Sequence, residues 1–509
     1  MHFHTLTLLA SVLGLLARAA PLNETSVHAD AVGNRLVFAH FMIGISADRT
    51  SASDYDDDMR RAKAAGIDAF ALNIGMDPYT DGQLEYAYQS AQNNGMKVFI
   101  SFDFNWYAVP DPGAVGRKIA QYAGRQAQLQ VDGKVFASSF AGDGLNVSAV
   151  RAAAGVPVFW APNFHPGGGD FSQIDGALNW MAWQNNGANK APSNGNLVTV
   201  NQGDQAYLNA LNGKAYIARE SQPSFLTIPT HFGPEVPYSK NWVFPGDLLF
   251  YRRWLEILQM KPRFVEIVTW NDYGESHYVG PLSSKHNDDG ASKWVNDMPH
   301  SGWLDMAKPF IAAFKAAASS PNAYISADQL VYWYRVTPKA LNCDPEDTTM
   351  NPANNDSGNY FMGRPNGFDS MSDNIFVVPL LKTPGTVTVN SGGTLYTFDA
   401  PAGASAYSLP FHVGAQSFAL SRNGKPVLAG TSLRPVQNTC PCGLYNFNAY
   451  VGTVPAQAPD ALGPDGLNHF ATGLRAACAA QPSLPASPPA ITPPTTTIRA
   501  SPISTSLPV

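Results

Sequence analysis

Val265-Glu266-Ile267-Val268-Thr269-Trp270-Asn271-Asp272-Tyr273-Gly274-Glu275-Ser276 combines an apolar, β-branched run with a turn that carries two carboxylates. Such a run is typical of a buried parallel strand. The polar residues come where the strand leaves the sheet, which in α/β folds is the end that carries the chemistry. The stretch therefore predicts a parallel strand that ends in an acid/base pair, Asp272 and Glu275.

The sequence before this stretch alternates strand and helix candidates. The strand candidates are Leu36 to Met42, Ile67 to Ile74, Lys97 to Phe104, Lys134 to Ser138, Val156 to Ala161, Ala177 to Trp183, Ala215 to Ala218 and Phe264 to Trp270. The helix candidates are Ser53 to Ala65, Gly82 to Asn94, Gly113 to Gln126, Asp204 to Leu211, Asp247 to Met260 and Leu304 to Ala318. Eight strands alternating with helices predict an α/β fold, a (β/α)8 TIM barrel over residues 36–320. An open doubly wound sheet is the competing interpretation, but no Gly-x-Gly-x-x-Gly turn follows the first strand.

The sequence pattern changes after Ala318. Short segments separated by Gly, Pro, Asn and Ser replace the helical pattern, which predicts a smaller β-rich, sandwich-like accessory domain over residues 321–481. Residues 482–509 are mostly Pro, Ser, Thr and Ala, and we expect them to form a disordered tail.

Composition and the first residues indicate an exported protein. Leu6 to Leu16 is apolar and Ala17-Arg18-Ala19 follows, which is typical of a signal peptide over residues 1–20, with residues 21–35 as an N-terminal segment. Nothing later in the sequence is long and apolar enough to span a bilayer. Charged residues are only 14% and the net charge is -6, which argues against nucleic acid as a partner. We expect a secreted monomer, extracellular or in a cell wall, with sequons for glycosylation at Asn23, Asn146 and Asn355.

Four cysteines lie in the last third of the chain: Cys343, Cys440, Cys442 and Cys478. An even number in an exported protein favours two disulfides. A bridge between Cys440 and Cys442 would be strained, so each is expected to pair with Cys343 or Cys478. A zinc site of four thiolates is the alternative, although the paired Cys-x-x-Cys spacing is absent.

The predicted strand ends carry carboxylates, amides, imidazoles and indoles. Sugar rings need such partners, because their hydroxyls require planar hydrogen-bonding groups and their C–H faces stack on aromatic rings. The predicted substrate-binding residues are His40, Asn73, Asp103, Asn105, Trp106, Asn163, His231, Trp242, Trp270, Asn271 and Tyr278. We expect no metal and no cofactor, since neither His40 nor His231 belongs to a metal-binding pair. The segment His286-Asn287-Asp288-Asp289-Gly290 is expected to be a solvated loop.

Asp272 and Glu275 fit glycoside hydrolysis, which needs one protonated carboxyl and one carboxylate. Their spacing permits both retaining and inverting separations, so it does not assign the stereochemistry. In the alternative interpretation Asp272 caps the following segment and Glu275 is solvated. Asp103 has a similar alternative as a buried carboxylate bonded to backbone amides.

Several separated motifs resemble those of fungal glycoside hydrolase family 71, the α-1,3-glucanases or mutanases. They are Thr269 to Tyr278, Ala39-His40-Phe41-Met42, Ser101-Phe102-Asp103, Thr230-His231-Phe232-Gly233-Pro234 and Lys240-Asn241-Trp242. The resemblance implies endo-type hydrolysis of α-1,3-glucan with inversion, with Asp272 as the acid and Glu275 as the base. Ala218 to Ser224 departs from the family pattern, which would allow a shifted substrate preference. The alternatives are a glycosidase for α-1,4-linked or mixed glucan, and a non-catalytic glycoprotein that binds wall glucan.

Overall fold

The computed structural model describes residues 35–107, 111–187, 192, 197–221, 243–244, 246–343, 367–468, 470 and 484–501. The predictions for the signal peptide and N-terminal segment up to residue 34, and for Asn23, His231, Trp242, Asn355 and Cys478, lie outside these residues. The predicted tail is described only from residue 484 to residue 501.

The N-terminal part is a mixed α/β structure around a curled, mostly parallel sheet. Its strands are β1 (Leu36–Met42), β2 (Ala69–Ile74), β3 (Lys97–Asp103), β4 (Gln130–Val131), β5 (Lys134–Phe140), β6 (Val158–Trp160), β7 (Gly176–Leu178), β8 (Ala215–Ser221) and β9 (Phe264–Val268). Its helices are α1 (Asp56–Ala64), α2 (Thr80–Asn94), α3 (Pro112–Ala123), α4 (Val147–Ala154), α5 (Val200–Leu211), α6 (Leu249–Met260), α7 (Ser292–Val295) and α8 (Ser301–Lys315). All eight predicted strands and all six predicted helices are present; β1 has the predicted bounds and most of the others have shifted ends.

The strand order is β4-β5-β3-β2-β1-β9-β8-β7, and β6 pairs with the other edge of β5. Only the short β4 runs antiparallel to its neighbour. Two backbone hydrogen bonds connect the segments that contain β6 and β7: the amide of Asp175, just before β7, donates to the Trp160 carbonyl, and the Leu178 amide donates to the carbonyl of Pro162, which follows β6 by two residues, each at 2.9 Å. The first and last parallel strands, β1 and β9, are direct neighbours, so the motif that follows β9 lies beside the end of β1.

Side chains inside the curl form an apolar layer and then a polar layer, because alternate residues of a strand point to the same face. Phe38 of β1 contacts Phe99 and Phe264, with ring centroids 5.0 and 5.5 Å apart. Two residues further along their strands, His40 and Glu266 are both buried and hydrogen-bonded to each other. The polar layer therefore faces the carboxyl ends of the strands.

The helices cover the outer face of the sheet, and their ends follow local sequence signals. Thr199 and Gln202 form a capping box at the start of α5, and Gly95 ends α2 in the left-handed conformation. The short helices α4 and α7 were not predicted, although Asn146 caps α4 through its side chain. Asn146 is exposed, and its glycosylation remains a prediction.

The C-terminal part consists of two five-stranded sheets. The first contains β10 (Gln329–Arg335), β11 (Asn374–Leu381), β14 (Gly403–Ala404), β15 (Tyr407–Pro410) and β18 (Ala449–Val454). The second contains β12 (Gly385–Ser391), β13 (Thr394–Ala400), β16 (Gln416–Arg422), β17 (Lys425–Thr431) and β19 (Thr496–Arg499). A shared apolar core between the sheets makes this part β-rich and sandwich-like, as predicted.

The expectation of a wholly disordered tail is wrong for part of it. Thr496–Arg499 forms β19 and pairs in parallel with β13, because extended Thr and Ile residues suit an exposed sheet edge. Leu484 and Ala500 also pack against the core of the sandwich. These residues belong to the accessory domain.

The two parts of the molecule share a core. Helix α8 packs on β18 and β10, and Val331, Trp333 and Val451 join the same buried cluster as the helices of the N-terminal part. Cys343 and Cys440 form a disulfide with Cα atoms 5.9 Å apart, and Cys442 is also disulfide-bonded. Within the described part of the chain, no helix has the length and apolar character required to cross a membrane.

Candidate active site

Asp272 and Glu275 lie in a turn directly after β9, and hydrogen bonds tie the turn to itself. The Asp272 amide donates to the Thr269 hydroxyl at 2.8 Å, and the Glu275 amide donates to Asp272 Oδ1 at 3.0 Å. Thr269 in turn donates from its hydroxyl to the His277 carbonyl at 2.8 Å. The backbone around both carboxyl groups is therefore fixed before any substrate binds.

His277 completes this set of contacts. Its Nε2 lies 2.7 Å from Glu275 Oε2, and its side chain is 1% exposed, whereas that of Glu275 is 21% exposed. With Glu275 ionised, Nε2 is the donor, since a carboxylate only accepts. Such a bond stabilises the carboxylate form of Glu275.

The electrostatics at Asp272 favour a retained proton. Burial, and next the neighbouring Glu275, raise the pKa of Asp272 to about 7. Asp289 is a third carboxyl of this region. Burial and Asp288 raise its pKa to about 7, and its charge also acts on Asp272. Near neutral pH, Asp272 is thus able to hold a proton that an ordinary aspartate would lose.

Beneath the pair, the polar layer of the sheet interior is closed to solvent. His40 Nδ1 lies 2.7 Å from Glu266 Oε1, and both side chains are fully buried. The His40 ring contacts Trp180, and the Arg219 guanidinium lies over the same indole. His40 was predicted to bind substrate; in this structure its imidazole is fully buried and bonded to Glu266, and a contact with substrate remains a prediction.

Three other predicted substrate-binding residues are structural. Trp270 points to the outer face of the sheet, where its Nε1 donates to Asp58 at 2.8 Å. Asn271 exchanges two hydrogen bonds with the backbone of Met42, which ties the end of β9 to the end of β1. Tyr278 is buried and stacks on His300 with centroids 4.0 Å apart. Their side chains are fully buried and already have partners in the protein, so the structure assigns them packing contacts, and their predicted contacts with substrate remain predictions.

Two predicted amides also lie in the interior. Asn163 donates to the Leu178 carbonyl and the Tyr207 hydroxyl, both at 2.9 Å, and is 1% exposed. Its predicted contact with substrate remains a prediction. Asn73 is the penultimate residue of β2 and is 5% exposed. Its role remains a prediction.

The turn after β3 agrees better with a substrate surface. Asp103 is 9% exposed, and its Oδ1 accepts a hydrogen bond from the Asn105 amide at 2.9 Å. For this oxygen, the alternative in which the carboxylate is bonded to backbone amides is correct. Asn105 is exposed, and Trp106 is 63% exposed. The described part of the chain thus presents an indole to solvent at the same end of the sheet as Asp272.

One group of residues has ligand atoms close enough for a metal. Single ligand atoms of Asp272, Glu275 and His277 lie within 4.8 Å of one another. Glu275 and His277 are already hydrogen-bonded to each other through Oε2 and Nε2 at 2.7 Å. The acid/base arrangement accounts for the same residues without a metal.

Several residues of this region were not predicted from the sequence. His277 stands two residues after Glu275, but nothing in its spacing shows which way the ring turns. Asp289 was assigned to a solvated loop, whereas it is half-buried and its neighbour Asp288 is 7% exposed. Glu266 carried a signal that could have been used, since a charge inside an apolar strand requires a buried partner.

Comparison with known proteins places the chain in a family. A family model described as glycosyl hydrolase family 71 matches residues 33–463. A mutanase of Penicillium rubens is 39% identical over 479 residues, which cover 93% of this chain and 98% of that protein. A glucan endo-1,3-alpha-glucosidase of Schizosaccharomyces pombe is 34% identical over 442 residues, covering 83% of this chain and 95% of that protein. An ascus wall endo-1,3-alpha-glucanase of the same yeast is 27% identical over 450 residues, covering 82% and 97%. The chain belongs to glycosyl hydrolase family 71.

Proposed function

We propose that this protein is a glycoside hydrolase that cleaves α-1,3-glucosidic bonds within α-1,3-glucan. The observation that carries the proposal is the turn after β9, in which Asp272 has a pKa raised to about 7 and Glu275 is held by His277. The names of the relatives at 39% and 34% identity support the linkage.

Asp272 acts as the general acid and Glu275 as the base. Asp272 gives its proton to the glycosidic oxygen as the bond from that oxygen to the anomeric carbon breaks. Glu275 takes a proton from a water molecule whose oxygen forms the new bond to the anomeric carbon. The configuration inverts, and Asp272 ends ionised while Glu275 ends protonated.

A specific distance favours a second candidate mechanism. An oxygen of Asp272 and an oxygen of Glu275 lie within 4.8 Å of each other, closer to the separation of about 5 to 5.5 Å in retaining enzymes than to about 6.5 to 9.5 Å in inverting ones. In that mechanism Glu275 attacks the anomeric carbon itself, and water later hydrolyses the glycosyl-enzyme. The configuration of the first product distinguishes the two.

We further propose that the curled sheet is a complete (β/α)8 barrel. The adjacency of β1 and β9 and the two hydrogen bonds between the segments that contain β6 and β7 support this. The location of Asp272, Glu275 and Asp103 after the carboxyl ends of strands agrees with the usual place of a barrel active site.

The setting of the enzyme is also a proposal. The apolar segment before residue 20 supports secretion, and the relative named for the ascus wall supports action on cell-wall glucan. We propose a monomer whose partner is the polysaccharide.

Purified protein should release reducing ends from alkali-soluble α-1,3-glucan. Asp272→Asn and Glu275→Gln should each abolish the release while leaving the thermal unfolding transition cooperative. Full activity in both variants would refute the assignment of the pair, whereas release only from α-1,4-glucan by the unmodified protein would refute the linkage.

A further inference from the structure

Trp106 is unusual among the indoles of the described residues. It is 63% exposed, whereas Trp160, Trp254, Trp270, Trp294, Trp303 and Trp333 are fully buried. Leaving an indole in water forgoes the stabilisation that its burial provides. An exposed indole at the catalytic end of a sheet therefore suggests a ligand that covers it.

The turn that carries Trp106 is held at both ends. At its start, the backbone carbonyl of Asp103 accepts hydrogen bonds from the amides of Trp106 at 3.0 Å and Tyr107 at 2.9 Å. The Asp103 carboxylate also accepts a hydrogen bond from the Asn105 amide. Tyr107 is 8% exposed and packs edge-on against Phe102 with centroids 5.2 Å apart. The backbone beneath the indole is thus fixed, which lowers the entropic cost of binding a ligand on it.

The turn after β2 supplies the neighbours of this indole. A Cβ placed on Gly75 would lie 3.5 Å from Trp106 Cβ and 3.2 Å from Asp77 Oδ2. The glycine therefore lets both side chains approach the same point of the backbone. Met76, in the same turn, is 66% exposed. An indole, an exposed thioether and a carboxylate are thus presented together.

These residues lie on the same side of the sheet as the catalytic pair. The strands β9, β1, β2 and β3 are consecutive and parallel, so their carboxyl ends lie along one rim. Three strand spacings of about 4.8 Å separate β9 from β3, which is about 14 Å along the rim. That distance places Trp106 beyond the ring that Asp272 protonates.

We propose that Trp106, Met76 and Asp77 form a distal sugar subsite, which binds a glucosyl unit of the same chain away from the scissile bond. The indole takes the C–H face of the ring, and the Asp77 carboxylate accepts hydrogen bonds from its hydroxyls. The subsite rests on the proposed function, because the glucosyl unit that it binds belongs to the glucan chain that Asp272 and Glu275 cleave. It makes the enzyme prefer long chains.

The test measures kcat/KM on α-1,3-linked gluco-oligosaccharides of increasing length. For Trp106→Ala we expect a fall of about tenfold on chains long enough to reach the subsite, the effect of losing one aromatic contact. On the shortest chains that are cleaved we expect no change. Trp106→Phe should retain most of the activity on long chains, and Asp77→Asn should show the same length dependence as Trp106→Ala with a smaller loss.

Val413→Ala serves as the matched control, since Val413 is 49% exposed but lies in the accessory domain. It should leave the length dependence unchanged. Equal kcat/KM for Trp106→Ala and the unmodified enzyme at all lengths would overturn the proposal, and so would an equal loss at all lengths.

A second measurement separates this proposal from the proposed function. Retardation of the full-length protein in gels that contain soluble glucans of defined linkage reports binding without hydrolysis. If the unmodified protein cleaves no α-1,3-glucan, the proposed function fails while the subsite is still tested. Weaker retardation of Trp106→Ala than of Val413→Ala in any glucan supports the subsite, and equal retardation in every glucan overturns it.

Discussion

His277→Phe tests whether the contact between His277 and Glu275 tunes the base. The substitution keeps a planar ring in a buried position but removes the Nε2 donor that lies 2.7 Å from the Glu275 carboxylate. The other ring nitrogen, Nδ1, is buried without a hydrogen-bond partner in the described structure, so its removal takes no hydrogen bond from another protein group. His277→Gln is the matched variant, since its amide can present a donor near the place of Nε2.

The magnitude follows from the bond and its exposure. A hydrogen bond to a charged group contributes about 1.5 to 3 kcal/mol. Because Glu275 is 21% exposed and water can replace part of the lost bond, the lower end applies. About 1.4 kcal/mol corresponds to one pH unit or to a tenfold change in rate.

The assay is the pH dependence of kcat/KM on soluble α-1,3-gluco-oligosaccharides. In His277→Phe we expect the acidic limb to move up by about one pH unit and the maximum to fall about tenfold. His277→Gln should stay within about threefold of the unmodified enzyme. The role given to His277 would be refuted if the acidic limb of His277→Phe were unchanged. It would also be refuted if His277→Gln folded normally but lost as much kcat/KM as His277→Phe.

Three further predictions follow from the same structure. In the unmodified enzyme the alkaline limb of kcat/KM should lie near pH 7, because kcat/KM reports the free enzyme and Asp272 gives a proton only below its raised pKa; a limb above pH 9 would exclude Asp272 as the acid. The raised pKa also means that Asp272 favours the folded state below about pH 4 and that this contribution is lost as the pH rises through about 7. Asp272→Asn should therefore abolish activity yet unfold at an equal or higher temperature than the unmodified protein at pH 8, as thermal scans at pH 8 and pH 4 would show. Arg253→Met should lower the free energy of unfolding by about 3 to 5 kcal/mol, because it leaves the buried carboxylate of Asp204 without its cation; in denaturant titrations Arg61→Met, at the exposed pair with Asp57, should cost less than about 1 kcal/mol.

The strands were readable from the sequence because their apolar runs are bounded by turns. The prediction for β1, Leu36 to Met42, matches the structure residue for residue. The predicted strand from Ala177 to Trp183 is only Gly176–Leu178. Aromatic residues continue past its end, and they pack as rings without continuing the ladder.

The family resemblance is confirmed, and the location of Asp272 and Glu275 after a parallel strand agrees with the prediction. Which neighbouring side chains reach the site was less predictable. Trp270 and Asp272 are two residues apart, yet Trp270 points to the helices on the outer face. Tyr278 lies against His300 at the junction with the accessory domain. Such directions depend on contacts with residues far along the chain, which local sequence patterns do not encode.

Proton NMR of the first products from α-1,3-glucan, recorded before anomeric exchange, tests the central claim most directly. The account predicts new reducing ends of β configuration on soluble α-1,3-linked fragments, and their loss in Asp272→Asn. Reducing ends of α configuration would show that the reaction retains the configuration, and the two-step mechanism with Glu275 as nucleophile would then replace the inverting one. The absence of any α-1,3-linked product from well-folded enzyme would contradict the account.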